Sequence, residues 1–292
     1  MAKARIGTSG WVYPHWQPDF YPNNLLQKEW LSFYSSHFST VEVNSSFYHQ
    51  VLPKTYQNWA QNVPGNFTFA LKGSRFITHI KRLKDPEEPL KNFFESAKFL
   101  EYKLGPILFQ LPPKMKADVG RLENFLKILN YVARQQFDLA SNPPRKTRSA
   151  RNGASANENL PAPRSESEAG VLGKPHKLGG LRNHSRVAFE FRDQSWFCKD
   201  IYKTLEKYNA GLVIADSGEN WPTEEIITAN FVYLRFHGEA LYSSNYPKGE
   251  LENWAKKIKK WFSKGLDVYG YFNNDALGYA VENARTLAKM VS

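Results

Sequence analysis

Three pairs of polar or charged residues, each spaced by two, sit in otherwise apolar runs: Glu42 with Asn44, Glu190 with Arg192, and Arg235 with His237. Successive side chains of a β-strand point to opposite faces, so each pair shares a face. Lys72, Gln110, Asp216 and Asn273 stand at the ends of four further runs. The set brings together the cations Lys72, Arg192 and Arg235, the carboxylates Glu42, Glu190 and Asp216, and the imidazole of His237. Arginine and lysine clamp phosphate or carboxylate groups, and arginine does so through two parallel hydrogen bonds. A carboxylate and a histidine divide general acid and base work. The expected roles follow. Glu190 and His237 form the acid–base pair, Asp216 orients one of them, and Glu42 joins the reacting set. Lys72, Arg192 and Arg235 hold an anionic group and stabilise developing charge. Asn44, Gln110 and Asn273 face the substrate. A salt-bridge network that only fixes the strand ends would use the same residue types.

Other positions extend this reading. Trp11, Tyr48 and Trp196 are expected as aromatic rims around the substrate. His79 follows Ile77-Thr78 in a loop, where a histidine either binds substrate or packs. Tyr242 lies in a polar loop with Ser243, Ser244 and Tyr246 that has the composition of a lid. Asn273, Asn274 and Gly278 precede the last helical stretch, and helix N-termini bind anions. The start Gly7-Thr8-Ser9-Gly10 lacks the Gly-Lys-Ser/Thr ending of a nucleotide loop. Glu190, Asp216 and His237 are also hard or borderline metal ligands. Three cations in the same layer would repel a dication and no His-x-x-x-His pattern is present, so no cofactor is expected, with a metal as the alternative.

The elements that must position these residues are short. Eight strand-like runs are β-branched or aromatic and bounded by Gly, Pro or polar residues: Ala4–Gly7, Thr40–Val43, Thr68–Leu71, Ile107–Gln110, Val187–Phe191, Leu212–Ala215, Val232–Phe236 and Val268–Phe272. Helical stretches lie between them at Glu29–Phe38, Lys54–Asn62, Pro89–Lys103, Asp200–Asn209, Glu250–Lys264 and Ala276–Met290. Several end at glycine, the expected C-terminal signal. Eight βα repeats in a chain of 292 residues predict an α/β fold: a single (β/α)8 TIM-type barrel domain over residues 1–292. Its C-terminal strand ends would carry the site. From about 138 to 185 the chain turns rich in Ser, Asn, Pro, Gly and Arg, with almost no aromatic residues. Such a stretch predicts a disordered basic insert between the fourth helix and strand five, on the opposite face of the barrel. The helix around Trp254, Ile258 and Trp261 places its apolar residues at helical spacing, leaving its lysines as a solvated face.

The chain carries a formal charge of +11, and 41% of its residues are hydrophobic. The insert holds a net +4 of that charge, leaving a milder +7. Cys198 is the one cysteine, which excludes an intrachain disulfide. No apolar run approaches membrane-spanning length and no signal-peptide pattern opens the chain, so a cytoplasmic protein is expected.

The strand-end motifs also carry a family likeness. Gly7-Thr8-Ser9-Gly10-Trp11, Glu42-x-Asn44-x-x-Phe47-Tyr48, Lys72 with Ile77-Thr78-His79, and Leu104-Gly105-Pro106 leading to Gln110-Leu111-Pro112 come first. Glu190-Phe191-Arg192 with Ser195-Trp196, Tyr233-x-Arg235-x-His237-Gly238, and Tyr271-Phe272-Asn273-Asn274 with Gly278 follow in order. In these the chain resembles the YecE-like family, domain of unknown function 72, over nearly its whole length outside the insert. The resemblance implies a TIM-type barrel and supplies no activity. The residues themselves point to a hydrolase or lyase acting on a small anionic substrate, with phosphate esters and sugars as candidate classes. The positive charge leaves two alternatives, a nucleic-acid-binding protein and a metal-dependent phosphodiesterase acting on nucleic acid.

Overall fold

A computed structural model describes residues 2–141 and 186–292. The expected disorder of the insert therefore concerns mainly residues outside those described. The strands are β1 (Ala4–Thr8), β2 (Thr40–Val43), β3 (Thr68–Lys72), β4 (Leu104–Gln110), β5 (Val187–Glu190), β6 (Gly211–Asp216), β7 (Phe231–Phe236) and β8 (Asp267–Phe272). All pair in parallel, in the order β1-β8-β7-β6-β5-β4-β3-β2. The helices are α1 (Trp30–His37), the single turn α2 (Ser45–Tyr48), α3 (Pro53–Gln61), α4 (Glu87–Ala97), α5 (Val119–Ser141), α6 (Lys199–Lys207), α7 (Lys248–Ser263) and α8 (Tyr279–Val291). This is the TIM-type barrel that the strand runs predict.

The seam between β1 and β2 shows how nearly the barrel closes. One parallel bridge joins Ser9 to Glu42. Below it the Tyr34 hydroxyl stands between the strands. It accepts from the Thr8 amide at 3.0 Å and donates to the Thr40 carbonyl at 3.1 Å. Gly7 allows this approach, because a Cβ there would lie 2.3 Å from the Thr40 carbonyl oxygen. Inside, Ala70, Leu108, Ala188, Val213, Ala215, Phe231, Tyr233, Tyr269 and Tyr271 fill the lumen, so the barrel is a packed core beneath its mouth.

Two elements depart from expectation. Helix α5 was not among the stretches recognised in sequence, and it runs to Ser141, so its last residues overlap the start of the compositional insert. Between β6 and β7 no helix forms, so the sixth βα repeat is incomplete. The connection instead lays Ile226 and Ile227 against the outer core. It is tied down by Thr228, whose hydroxyl donates to the Ala210 carbonyl at 2.7 Å and accepts from the Leu212 amide at 2.8 Å. Thr228→Val strands two buried backbone groups, and a loss of about 1–3 kcal/mol, read from the urea midpoint, is the expected outcome.

Helix α7 buries Leu251, Ala255, Ile258 and Trp261, while Lys256, Lys259 and Lys260 face solvent. No helix among the described residues is long and apolar enough to cross a membrane.

Candidate active site

The inward face of each strand is fixed by alternation, and the C-terminal rows of those faces build one polar cluster. Ser9 follows β1, Glu42 lies on β2 with Asn44 just beyond, and Lys72 ends β3. Gln110 ends β4 in register with Glu190 of β5, and Arg192 follows. Tyr233 and Arg235 lie on β7 with His237 beyond it, and Asn273 follows β8.

Arg235 is the hub and is 1% exposed. Its Nε and Nη2 donate to the two Glu42 carboxylate oxygens at 3.1 and 2.8 Å, the fork geometry that arginine favours. Its Nη1 donates to Glu190 Oε2 at 2.7 Å. Glu42 also accepts from the Tyr233 hydroxyl at 2.7 Å and from the Ser9 hydroxyl. Asn44 Nδ2 donates to Ser9 Oγ at 2.9 Å. Glu190 Oε1 accepts from Arg192 Nη2 at 3.2 Å and meets His237 Nε2 at 3.0 Å. The other Arg192 contacts are Gln110 Oε1 at 3.5 Å and the face of Trp221 at 4.2 Å.

These contacts set the charge states. Burial pushes both carboxyls up, but Arg235 and the hydrogen-bond donors outweigh it: Glu42 sits below and Glu190 well below the usual carboxylate range. Both are therefore acceptors only. Burial lowers the His237 pKa. A neutral His237 must donate from Nε2 to the Glu190 carboxylate, which leaves Nδ1 to accept from Asn273 Nδ2 at 3.2 Å. Among the described residues the Lys72 amine has no hydrogen bond or ion pair, although the residue is only 8% exposed. Its amine lies over the Phe47 ring at 4.4 Å. Burial, with Arg235 beside it, pulls its pKa down to about 8.

Around the mouth, Tyr242 stands edge-on to the His237 ring at 5.6 Å, with its backbone at a positive φ of 69°. His79 lies in a π-helical turn, Phe76–Ile80, and packs edge-on against Phe47 at 5.1 Å. Burial and the cations nearby bring its pKa down to about 4. Tyr48 is 74% exposed and touches the other side of Phe47. A groove of about 930 Å³ opens beside this margin, lined by Tyr48, Arg75, Phe76 and Ile80 among others.

Four residues expected at the site lie elsewhere. On β6 the inward residues are Val213 and Ala215, so Asp216 faces outward and accepts from Trp254 Nε1 of α7 at 2.8 Å. It stands apart from Glu190 and His237, and the three-residue metal set is not assembled; among the described residues no group of three His, Cys, Asp or Glu side chains has that arrangement. Trp11 is buried in the outer core, edge-on to Trp59 at 5.0 Å. Trp196 is fully buried, stacked on Phe191 at 4.6 Å and donating to the Met115 carbonyl at 2.6 Å. Both are expected as rim rings; each is instead a buried core ring held by aromatic neighbours. Asn274 is also buried, and its amide bridges the Ser244 carbonyl at 2.9 Å and Asn283 Oδ1 at 2.8 Å, pinning the β7 loop to α8.

Ser9, Tyr233 and Trp221 belong to the cluster but were not named as site residues from sequence. Tyr233 had a signal: it lies two residues before Arg235, as Arg235 lies before His237. Trp221 had none, because it reaches Arg192 from the irregular β6–β7 connection.

Known proteins are similar to this chain in sequence or in fold. The UPF0759 protein YunF of Bacillus subtilis is 24% identical over 322 residues, covering 98% of this chain and 94% of YunF. The crystal structure of a DUF72 family protein from Thermotoga maritima has a TM-score of 0.72 at 24% identity, covering 99% of both chains. One from Enterococcus faecalis has a TM-score of 0.69 at 19% identity, covering 99% of this chain and 95% of that one. At these identities the structures testify to the fold alone. The family model described as protein of unknown function DUF72 matches from Arg5 to Ser292, across every strand that contributes to the mouth, and the chain belongs to that family.

Proposed function

We propose that this protein is an enzyme of the hydrolase or lyase type that acts on a small anionic compound at the barrel mouth. The carrying observation is the uncompensated charge of Lys72. Glu42 and Glu190 are matched by Arg235 and Arg192, and His237 is neutral, so the Lys72 ammonium is the charge without a counterpart. An anionic group entering the mouth would supply that counterpart and would lie within reach of Arg192.

The roles follow from which groups are already committed. All three nitrogens of Arg235 are held by carboxylates, so it organises the cluster instead of clamping substrate. Glu190, kept ionised, positions His237 and Arg192. Proton transfer falls to His237 Nδ1, once substrate displaces the Asn273 amide, and to Lys72. A pKa near the working pH suits an acid–base group, and Lys72 at about 8 meets that condition.

A thermal-shift panel of phosphorylated sugars, nucleotides and short oligonucleotides tests the reading, run on wild type, Lys72→Ala and Arg192→Ala. At one hundred times its Kd a ligand adds about 2.7 kcal/mol of stability. The expected result is that a small phosphate ester stabilises wild type and neither variant. A panel in which no anion stabilises wild type, or in which both variants respond as wild type does, overturns it.

A further inference from the structure

We propose that Lys72 is a covalent nucleophile, forming a Schiff base with the aldehyde or ketone group of a small anionic substrate. The inference rests on the anion-binding mouth proposed above and deepens it by naming the reactive group of the substrate.

The case begins with what Lys72 does not do. Buried charged side chains are ordinarily paired or hydrogen-bonded. Lys103, the other lysine buried to this degree among the described residues, obeys the rule: its amine donates to the carbonyls of Ala60 and Val63. Glu42, Glu190 and Arg235 obey it too, and Arg192 obeys it through Nη2, although its Nε has no acceptor among the described residues. Lys72 alone in the mouth leaves its amine without an acceptor, so no hydrogen bond has to be broken before its nitrogen attacks. Its setting is that of an activated amine, desolvated on one side by the Phe47 ring and neighboured by guanidinium groups. The pKa of about 8 leaves roughly a quarter of the molecules with a neutral, nucleophilic amine at pH 7.5. Its position at the C-terminal end of β3 puts it where barrel enzymes carry their reacting groups.

The chemistry balances within the site. The neutral Lys72 nitrogen bonds to the carbonyl carbon, and the carbonyl π pair moves to oxygen. The proton lost by nitrogen passes to that oxygen, giving a carbinolamine. The carbinolamine hydroxyl takes one more proton from solvent, equal to the one the Lys72 ammonium released on becoming neutral, and leaves as water as the nitrogen lone pair forms the C=N bond. The products are one protonated Schiff base and one water. We assign the relay of the first proton from nitrogen to oxygen to His79, which packs on the same Phe47 ring with its Nδ1 engaged by the Thr78 hydroxyl at 2.9 Å and its Nε2 without a partner among the described residues. Arg192 would hold the carboxylate or phosphate of the same substrate.

The test is reductive trapping. Wild type, Lys72→Arg and Lys72→Met are incubated with sodium cyanoborohydride and either pyruvate or glyceraldehyde 3-phosphate, then analysed by intact mass and peptide mapping. The expected result is an adduct heavier than the protein by the probe less one oxygen, mapping to Lys72. Its occupancy should exceed that of exposed lysines such as Lys259 by on the order of ten-fold, as an activated amine requires. Lys72→Arg keeps the cation but cannot form the imine, so it should still be stabilised by inorganic phosphate while yielding no adduct at position 72. Labelling of Lys72 no greater than that of Lys259 with both probes overturns the Schiff base. Phosphate stabilisation retained in Lys72→Met and Arg192→Ala would instead overturn the anion-binding reading.

Discussion

Arg235→Met is expected to lower stability by about 3–5 kcal/mol, the cost of leaving buried charge unpaired. Two carboxylates are bound by this one guanidinium, Glu42 through a two-pronged contact and Glu190, which also pairs with Arg192, through a single one. Methionine fills much of the same volume, so lost packing contributes little and the electrostatic loss dominates. The effect has a pH signature. Both carboxyls titrate below their usual values in the folded protein, so their stabilisation is full above the unfolded carboxyl pKa of 4.5 and fades as pH falls through the lower folded values. In Arg235→Met Glu42 is buried without a guanidinium and Glu190 keeps only Arg192, and protonation relieves both. The gap between wild type and variant should therefore narrow as pH falls, starting above 4.5 where the variant's buried carboxyls take up protons and continuing below it as wild type loses its own stabilisation. Guanidinium denaturation at neutral and acid pH measures both effects. A loss under about 1 kcal/mol at pH 7 would show that the cluster is solvated enough to dispense with Arg235.

How much of this cluster was readable in sequence depends on strand alternation. Where two polar residues are spaced by two, as in Glu42/Asn44, Glu190/Arg192 and Arg235/His237, alternation gives the shared face, and the contacts of Glu190 with Arg192 and His237 show that it holds although the second residue of each pair lies just past its strand. The same rule, applied to β6, excludes Asp216: the inward residues there are Val213 and Ala215, and the next residue must point outward. Asp216 has suitable chemistry at a strand end, but strand parity turns it away from the mouth. The tryptophans failed for a different reason. Trp11 and Trp196 follow strand-end motifs, but the residues after a strand turn freely, and large rings go wherever they bury most area. The β6–β7 connection was legible neither as a helix nor as a loop, because its two isoleucines serve the outer core without helical periodicity. The insert, by contrast, stood out by composition alone, although Asp138–Ser141 at its start are helical.

Lys72→Met is expected to stabilise the protein at pH 7, by about 2–3 kcal/mol. Burial lowers the lysine pKa from 10.5 to about 8, which corresponds to roughly 3 kcal/mol of penalty on the ammonium form. Below pH 8 the folded and unfolded chains both carry the proton, and the full penalty applies. Between 8 and 10.5 the unfolded chain still binds a proton that the folded chain has released, so the Lys72 contribution to stability rises with pH. Above 10.5 neither state is charged and the penalty is gone. Methionine is of similar length, keeps the contact with Phe47 and carries no charge at any pH. The difference between variant and wild type should thus be largest at neutral pH and shrink towards pH 10.5, a comparison that cancels the titration of every other lysine. Urea unfolding of both proteins at pH 7 and pH 10 measures it. A Lys72→Met protein less stable than wild type at pH 7, or a difference that does not change with pH, would mean that the amine is held by a favourable contact. A protein that keeps a destabilising cation in its barrel mouth trades stability for what the cation does there, which is the usual relation between a strained site and its function.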